Sequence, residues 1–372
     1  MELSKTQIYA IIVVIIVIVA VCAVAVVATG DDDSDDDDDG SSETVYGTIT
    51  DAAGNEITLT GSETRIVSVT VTAAEMVCDL GLRSYLVGAT TDSGIYSVDS
   101  EVIGISMDLD YPATIEEDIE SGTITDVGTY YGWTAESVSA ANPDIVIMDY
   151  GQISSDASRM EQLQELGVIC IVLYDESGID CICQNYEMLG TAFGVSDVAE
   201  ELTSQIVAVS DAIYNAVSGA STELTVAHIC YCYGYYYIYN SSSTLDVLLN
   251  LGATNALPTD SSYAVITVED IAAADPDLII FDDMATGLDW DEVIEEWKAD
   301  SVMGSISAIA NDSFFCLEYD PFQATSYDTV HFVEGIALVA TLLYSDYLGV
   351  DVPTVITDDD WKSYIQWVAD LV

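Results

Sequence analysis

One short pattern occurs twice in the chain, and this duplication constrains the fold more than any other feature. The first copy reads ESVSAANPDIVIMDY from Glu136 to Tyr150, and the second reads EDIAAADPDLIIFDD from Glu269 to Asp283. Each copy starts with helix-forming residues, passes through Pro-Asp, and ends in an uninterrupted apolar run followed by Asp. A unit repeated in this way predicts two structurally similar halves.

The local chemistry predicts the same helix in both copies. A threonine, Thr134 or Thr267, stands two places before the first glutamate, where its hydroxyl can cap the first turn. The glutamate then falls in that first turn, where the helix dipole favours an anion. Pro143 and Pro276 end the two helices, because the residue before a proline is driven out of the α region.

The apolar runs that follow these helices predict buried strands. Residues 145–148 read IVIM and residues 278–281 read LIIF. Short uninterrupted runs of this kind are typical of parallel strands that are covered on both faces. Two helix–strand units at equivalent places therefore predict two α/β lobes.

The rest of the chain alternates between strand and helix patterns, which indicates an α/β fold with parallel sheets. We expect a β-hairpin at 46–60 and one long helix at about 196–217. Segment 92–127 is expected to be mostly loop, with short elements near Tyr111-Pro112. The domains predicted are two Rossmann-like lobes, 46–178 and 221–372, joined by connecting helices at 179–220 that form a rigid spine. The other expected strands are 65–71, 85–89, 168–173, 224–231 and 313–317, and the other expected helices are 72–80, 160–166, 245–251, 290–299, 330–344 and 360–371.

The N-terminal segment predicts attachment to a membrane. The run from Ile8 to Ala28 is uncharged, apolar and long enough to cross a bilayer as a helix. Eight aspartates follow between Asp31 and Asp39, and such a block must stay in water. We therefore expect residues 1–29 to be a single-pass anchor in the cell membrane, residues 30–45 to be a polyacidic linker, and the remainder to be extracellular. A cleaved signal peptide is the alternative for the same run.

The charge of the chain excludes two classes of partner. It has 65 acidic residues against 6 lysines and arginines, a net charge of −59. A surface of this kind repels nucleic acid and anionic lipid, so neither is expected to bind. Adaptation to high salt or low pH, or a role in attracting cations, would each account for the acidity.

Taken together, the motifs resemble a known family, the class III periplasmic substrate-binding proteins of ABC importers, which bind iron-siderophores and vitamin B12. The resemblance extends over about 46–372 and rests on the order of several motifs rather than on any one of them. The similar segments are RIVSVTVTAAEMVCDLGL at 65–82, LVGATT at 86–91, VGTYYGWTAESVSAANPDIVI at 127–147, STLDVLLNLGATNAL at 243–257 and TVEDIAAADPDLII at 267–280.

The resemblance implies a fold and a function. In that family two α/β lobes are joined by one rigid helix, and the ligand binds in the cleft between them. The chain would then be the extracellular substrate-binding component of an ABC importer, without enzymatic activity or a cofactor of its own. It would capture a metal complex, such as a corrinoid, haem or an iron-siderophore, and deliver it to the permease and its ATPase.

The resemblance also implies a docking surface. One exposed glutamate in each lobe of the family contacts arginines of the permease, and the matching positions here are Glu136 and Glu269. These are the residues that the repeat picks out independently. The alternative is that both carboxylates serve their helices only and have no partner.

The cleft is expected in the loops at the carboxyl ends of the strands, as in open α/β sheets generally. One of these loops is expected at 320–322, after the strand at 313–317. Aromatic faces there suit a flat macrocycle or an aryl chelate. For the tyrosines at 233–236, a packed strand with one polar edge is the alternative. The candidate ligand-binding residues are Thr70, Thr72, Tyr150, Tyr174, Tyr233, Tyr235, Tyr236, Asp282 and Phe322.

The scarcity of cations limits the charge of the ligand. Arg65, Arg83 and Arg159 are the arginines of the chain, and Arg65 begins a strand, away from the cleft end. Family members that bind ferric siderophores often hold an anionic ligand with several arginines. A strongly anionic ferric chelate is therefore disfavoured, and a neutral or cationic complex such as a corrinoid fits better. Haem stays open, because tyrosine or histidine can ligate its iron.

Cysteine and histidine give no clear metal signature. The closest cysteine pairs, at 181/183 and 230/232, lack the two-residue gap typical of zinc ligands. We expect mostly buried free thiols, with one disulfide left open. The two histidines, His228 and His331, are far apart in sequence, so no metal site is assigned. A surface sensor or adhesion protein, a free metal-ion binder and a metal-dependent enzyme are the alternative functions.

Overall fold

A computed structural model describes residues 46–91, 102–106, 115–220, 223–239, 241–282, 288–326 and 328–372. All of the described residues belong to one compact unit. The expected anchor at 1–29 and linker at 30–45 lie outside the described residues. Within the ranges above, no helix has both the length and the apolar character needed to span a bilayer.

The described chain opens with the predicted hairpin. Strands β1 (Gly47–Thr50) and β2 (Glu56–Leu59) pair antiparallel. The turn between them is held by Asp51, whose carboxylate accepts a hydrogen bond from the backbone N–H of Asn55 at 2.8 Å. The same carboxylate accepts one from the backbone of Val172 at 3.1 Å, so the hairpin is attached to the sheet that follows.

The first lobe is built on a parallel five-stranded sheet with the order β5-β4-β3-β6-β7. Strands run outward from β3 in both directions, as in a doubly wound fold. The strands are β3 (Ile66–Ser68), β4 (Leu86–Ala89), β5 (Thr125–Asp126), β6 (Ile145–Asp149) and β7 (Ile169–Leu173). The helices are α1 (Val71–Asp79), α2 (Ile115–Glu120), α3 (Ala135–Ala140), α4 (Tyr150–Ser155) and α5 (Ser158–Glu165), with a 3-10 turn at Arg83–Tyr85.

Two helices follow β7 and precede β8 (Thr225–Cys232), so they connect the two sheets. They are α6 (Ile179–Phe193) and α7 (Ser196–Val217), and α7 has the bounds expected from the sequence. Gly194 separates them with a φ of +72°, a left-handed conformation that glycine adopts without strain. The core that packs on α7 includes residues of both sheets, so the helix is a common support for the two lobes.

The second lobe contains a seven-stranded sheet with the order β11-β9-β8-β12-β13-β14, in which β10 also pairs with β8. Strands β12, β13 and β14 are parallel to β8, whereas β9 and β11 form an antiparallel edge. The strands are β8 (Thr225–Cys232), β9 (Tyr235–Tyr239), β10 (Thr254–Asn255), β11 (Tyr263–Ile266), β12 (Leu278–Asp282), β13 (Phe314–Leu317) and β14 (Val355–Ile356). The helices are α8 (Ser243–Asn250), α9 (Val268–Ala274), α10 (Trp290–Ala299), α11 (Ser307–Ala310), α12 (Tyr319–Ser326) and α13 (Phe332–Leu348), with 3-10 segments at Met303–Ser305 and Trp361–Asp370.

Segment 92–127 was expected to be mostly loop with short elements near Tyr111-Pro112. Those two residues lie outside the described residues, and the described part of the segment contains two short elements, α2 and β5. One expectation about local structure was wrong. Residues 320–322 were expected in a loop after β13, but they lie in the first turn and a half of α12. Pro321 fits there because a proline in the first turn loses no intrahelical hydrogen bond.

Candidate functional site

The carboxyl ends of β3 and β6 meet where the first sheet reverses its strand order. Thr70 follows β3 and caps α1: its hydroxyl accepts a hydrogen bond from the backbone N–H of Ala73 at 3.1 Å. The side chain is buried, at 2% exposure, and it also hydrogen-bonds the carboxyl of Asp149 at the end of β6. Thr72 lies inside the first turn of α1 and is half-buried. Thr70 therefore organises this edge of the sheet.

Asp149 lies between the two lobes. Burial raises its pKa to about 7; the hydroxyl of Thr70 opposes the rise, and the charges of Asp175 and Asp328 add to it. Asp175 follows β7 in the first lobe, whereas Asp328 precedes α13 in the second. The charge of Asp328 in the second lobe therefore helps to raise the pKa of Asp149 in the first.

Asp328 was not among the residues singled out from sequence. Burial raises its pKa to about 7, although hydrogen bonds from the Ser243 hydroxyl and the Gly178 backbone N–H favour the ionised form. The charges of Asp175 and Asp246 raise it further. The Ser243 bond measures 3.3 Å. Because Gly178 precedes α6 and Ser243 begins α8, Asp328 lies at a junction between the lobes.

A cavity of about 350 Å³ opens beside this junction. Its lining comes from the start of α6, from α7 and from α8, so both lobes and the connecting helix contribute to it. The polar lining consists mainly of hydroxyl, carboxyl and amide side chains: Ser177, Asp180, Ser210, Asp211, Tyr214, Asp246 and Asn250.

The matching edge of the second sheet holds His228 and Asp282. Asp282 ends β12, is 1% exposed, and contacts the Nε2 atom of His228 through Oδ2. The Nδ1 atom of His228 lies 2.9 Å from the hydroxyl of Ser242, the residue that caps α8. The other oxygen of Asp282 makes no hydrogen bond with any residue that the structure describes. Asp282 therefore lies at the predicted strand end, but it is buried in a pair with histidine.

The predicted aromatic residues fall into two groups. Tyr150 is 43% exposed at the start of α4, and Tyr174 is half-buried after β7. Tyr233 lies in the turn between β8 and β9, with a φ of +50°, and is 77% exposed. Tyr235, the first residue of β9, is exposed as well. These four tyrosines are accessible at the carboxyl ends of the two sheets.

Tyr236 and Phe322 do not fit the predicted cleft. Tyr236 points to the other face of β9, where its ring packs against Tyr231 and Trp297 with centroid distances of 5.0 and 6.2 Å. Strand alternation causes this, because neighbouring side chains of a strand point to opposite faces. Phe322 is 9% exposed and belongs to the apolar core of α12. Both assignments are corrected here to core positions.

The two repeated helices have the same start. In α3, the Thr134 hydroxyl accepts from the backbone N–H of Ser137 at 3.1 Å, and the Ser137 hydroxyl accepts from the backbone N–H of Thr134 at 3.0 Å. In α9, Thr267 and Asp270 make the equivalent pair of bonds at 3.2 and 2.9 Å. These capping boxes confirm the predicted threonine caps.

Glu136 and Glu269 occupy the first turns of these two helices. Both side chains are exposed. Neither carboxylate takes part in an ion pair or a side-chain hydrogen bond within the described ranges. The geometry is that of two equivalent surface carboxylates, one on each lobe.

Five of the seven described cysteines are buried, and free thiols are assigned to Cys170, Cys181, Cys183 and Cys316. Burial raises the pKa of the Cys170 and Cys181 thiols to about 12, which keeps them protonated. The expectation of buried free thiols is therefore confirmed for Cys170, Cys181 and Cys316. Among all the residues that the structure describes, no group of three or more His, Cys, Asp and Glu side chains is arranged to hold a metal ion.

Comparison with known proteins identifies the family. The model of the periplasmic binding protein family matches residues 66–321, a segment that contains the reversal points of both sheets. The Fe(3+)-citrate-binding protein YfmC of Bacillus subtilis (strain 168) is 19% identical over 281 residues, which cover 76% of this chain and 81% of that protein. The uncharacterized ABC transporter substrate-binding lipoprotein YvrC of the same organism is 23% identical over 159 residues, covering 43% of this chain and 43% of that protein.

Solved structures share the fold. The periplasmic heme-binding protein RhuT from Roseiflexus sp. RS-1, in its apo form, superimposes with a TM-score of 0.62 at 17% identity. The alignment covers 76% of this chain and 99% of RhuT. The chain therefore belongs to the periplasmic binding protein family, the non-enzymatic solute-binding proteins of ABC transporters.

Proposed function

We propose that this chain captures a metal complex between its two lobes and presents it to the permease of an ABC importer. The family match carries this proposal, because it spans the carboxyl ends of both sheets, where Asp149 and Asp328 act on each other across the lobes. The proposed ligand contacts are Thr70, Thr72, Tyr150, Tyr174, Tyr233 and Tyr235. Residues 1–29 would hold the domain at the outer face of the cell membrane.

The charge of the site favours a neutral or cationic complex. The described lysines and arginines are all engaged: Arg65 with backbone carbonyls, Arg83 with Asp118, Arg159 with the carbonyl of Tyr131, Lys298 with Asp312 and Lys362 with Glu334. An anionic chelate would meet carboxylates without a compensating cation. Corrinoids therefore fit better than ferric citrate, the ligand in the name of the relative YfmC.

A ligand screen tests this proposal. Cobalamin, cobinamide, haem, several ferric siderophores and free divalent metals would be added to the purified chain, and its Tm measured. A ligand at about 100 times its Kd stabilises the native state by roughly 2.7 kcal/mol, a shift of a few degrees. A shift with metal complexes supports capture. A shift with free divalent metal alone would instead support a metal-ion binder.

Delivery is proposed to depend on Glu136 and Glu269. Each stands exposed on a helix start that is fixed by a capping box, so the two carboxylates have defined positions for arginines of a permease. Exposed ion pairs are screened beyond about 8 Å at physiological ionic strength, so docking should weaken in salt.

The test is a charge reversal with a matched control. The Glu136→Lys/Glu269→Lys variant should lose uptake and keep its ligand affinity. Glu161→Lys/Glu292→Lys introduces the same charge in the first turns of α5 and α10, outside the repeat, and should keep both. Normal uptake by the first variant, or equal loss by both, would overturn the docking assignment.

A further inference from the structure

One face of the antiparallel edge of the second sheet is covered with tyrosine. Strand alternation puts Tyr235, Tyr237 and Tyr239 on the same face of β9. On β11, Tyr263 lies directly opposite Tyr239, and Val265 lies opposite Tyr237. Tyr235 and Tyr263 are each 58% exposed and Val265 is 55% exposed. The face is an open aromatic surface on the side of β9 that bears no core residues.

The opposite face of this edge is firmly packed. Tyr236 and Ile238 of β9 belong to a buried cluster that includes Trp297 and Phe281. The tyrosine face is therefore presented by a rigid support. The rings of Tyr235 and Tyr237 lie with their centroids 6.5 Å apart, and the pairing of β9 with β11 fixes the position of Tyr263 opposite Tyr239.

Tyr239, at one end of the tyrosine face, is near a residue of the first lobe. Its side chain is half-buried. Burial raises the pKa of Tyr239 to about 12, and the nearby groups that add to the rise are Cys230, Asp282 and, from the first lobe, Tyr131. The face thus starts beside the His228–Asp282 pair and lies within electrostatic reach of a tyrosine across the cleft.

The loop that carries Tyr131 is fixed by hydrogen bonds to its backbone. Arg159 donates to the Tyr131 carbonyl at 2.9 Å, and Gln152 donates to the Tyr130 carbonyl at 3.2 Å. The Tyr131 side chain nevertheless stays 83% exposed, with its ring edge-on to Tyr130 at a centroid distance of 4.8 Å. A large aromatic side chain that is kept exposed on a pinned loop is typical of a binding surface.

The positive charge beside this loop, on Arg159, is already engaged within the protein. The Arg159 guanidinium lies 5.0 Å from the ring centre of Trp133 while it hydrogen-bonds the Tyr131 carbonyl. The carboxyl of Asp282 is close to Tyr239 in the tyrosine face. A ligand held between these surfaces would meet negative potential.

We propose that the tyrosine face of β9, through Tyr237 and Tyr239, and the loop residues Tyr130 and Tyr131 form an aromatic clamp. The clamp would hold a flat, π-conjugated metal complex that is neutral or cationic. The inference rests on the proposed function and specifies its substrate class. Rings on both sides of the cleft stack on the two faces of the complex, and stacking against aromatic rings contributes affinity beyond the area buried. Lobe closure brings the two surfaces onto the ligand.

A matched pair of probes tests the charge rule, which is the proposed preference of the clamp for a neutral or cationic complex. Zinc protoporphyrin carries two carboxylates, and its dimethyl ester has the same ring without them. Binding would be followed through porphyrin fluorescence, with the full-length chain in detergent. We expect the ester to bind at least tenfold more tightly than the diacid. Equal or tighter binding of the diacid would overturn the charge rule.

Variants test the clamp itself. Tyr131→Ala and Tyr237→Ala should each weaken binding of the ester about three- to tenfold, the loss expected for one aromatic pair. Tyr131→Phe should retain affinity, because the ring and not the hydroxyl makes the contact. Tyr347→Ala, at a 54% exposed tyrosine of α13, is the matched surface control and should bind normally.

The outcomes separate this inference from the proposed function. If Tyr131→Ala and Tyr237→Ala bind the ester as tightly as the unmodified chain, the clamp is wrong. Should those variants still bind cobinamide or a ferric siderophore and support its uptake, substrate capture stands without the clamp. If the unmodified chain binds no metal complex at all, the proposed function fails first.

Discussion

The carboxyl of Glu75 on α1 lies close to the imidazole of His331, the residue that precedes α13, and both side chains are buried where the lobes meet. A second link runs beside it. The hydroxyl of Tyr186 on α6 donates to Asp79 of α1 and accepts from the backbone N–H of Val330 at 3.1 Å. Buried polar side chains therefore join α1 of the first lobe to the start of α13 in the second.

Glu75 should make the protein less stable as the pH rises. Burial raises its pKa from 4.5 to about 7, against the opposing charge of His331 and together with the charge of Asp79. The folded state thus holds the proton more tightly than the unfolded chain, so stability falls between pH 4.5 and pH 7. Glu75→Gln should be more stable than the unmodified chain at pH 8, by an amount on the order of 2 kcal/mol, and similar to it at pH 4.5.

Urea denaturation at the two pH values measures this effect. Glu201→Gln changes an exposed glutamate of α7 in the same way and should alter stability at neither pH. A Glu75→Gln variant that is equally destabilised at both values would contradict the pH assignment.

Glu334 should behave in the opposite way. Burial alone would raise its pKa, but the hydrogen bond and charge of His331, with Lys362 and the backbone N–H of Ile103, hold the pKa below 4.5. Its contribution is present above pH 4.5 and is lost as the pH falls through the lowered value. Glu334→Gln leaves His331 buried without its 3.0 Å partner and should cost about 3–5 kcal/mol at neutral pH.

The half-exposed Lys362 supplies the comparison for that variant. Lys362→Met removes the 3.3 Å contact to Glu334 and should cost no more than about 1 kcal/mol, because the lysine is partly solvated. The midpoints of thermal unfolding give both values. Equal losses in the two variants would show that the Glu334–His331 hydrogen bond contributes no more to stability than the Glu334–Lys362 contact.

Binding of a cationic complex should strengthen as the pH rises. The pKa values of Asp149 and Asp328 are raised to about 7, mainly by burial, so both carboxyls are largely protonated at pH 5.5 and ionised at pH 8.5. A cationic ligand favours the ionised forms and releases protons on binding. Cobinamide affinity should therefore increase several-fold over this range.

Asp328→Asn should remove much of that increase. Calorimetric titration at the two pH values measures it, with Asp291→Asn, at an exposed aspartate of α10, as the control. A pH dependence that is unchanged in Asp328→Asn would exclude this carboxyl from the site.

The threonine caps should contribute equally to the two repeated helices. Thr134→Ala and Thr267→Ala each remove one hydrogen bond to a helix start, at 3.1 and 3.2 Å, and should each cost about 1 kcal/mol in denaturant unfolding. Thr134→Ser and Thr267→Ser keep the hydroxyl and should be near neutral. Serine variants as unstable as the alanine variants would point to the lost methyl group instead.

Elements that carry their own start and stop signals could be predicted from sequence. Both repeated helices follow a threonine cap and end before a proline, and both strands are uninterrupted apolar runs. The long helix Ser196–Val217 was also predicted because Gly194 marks its boundary. In each case the information lies within a few residues of the element.

What depended on distant contacts could not be predicted. Tyr236 was placed in the cleft because the face it takes depends on how β9 pairs with β8. Asp328 has no motif around it, and its environment comes from Gly178 and Ser243, which are remote in sequence. Tyr131 lies in the family-like segment 127–147, which predicted the helix after it but gave no sign that its ring would be exposed.

The engagement of all the described lysines and arginines has a consequence for proteolysis. Trypsin cleaves after lysine or arginine, and the described chain offers it Arg65, Arg83, Arg159, Lys298 and Lys362, each already bound to a carbonyl or a carboxylate. Cleavage at any of these sites requires that local contact to open first. The tryptic fragments, read in order of their appearance, would therefore map which parts of the fold open most readily.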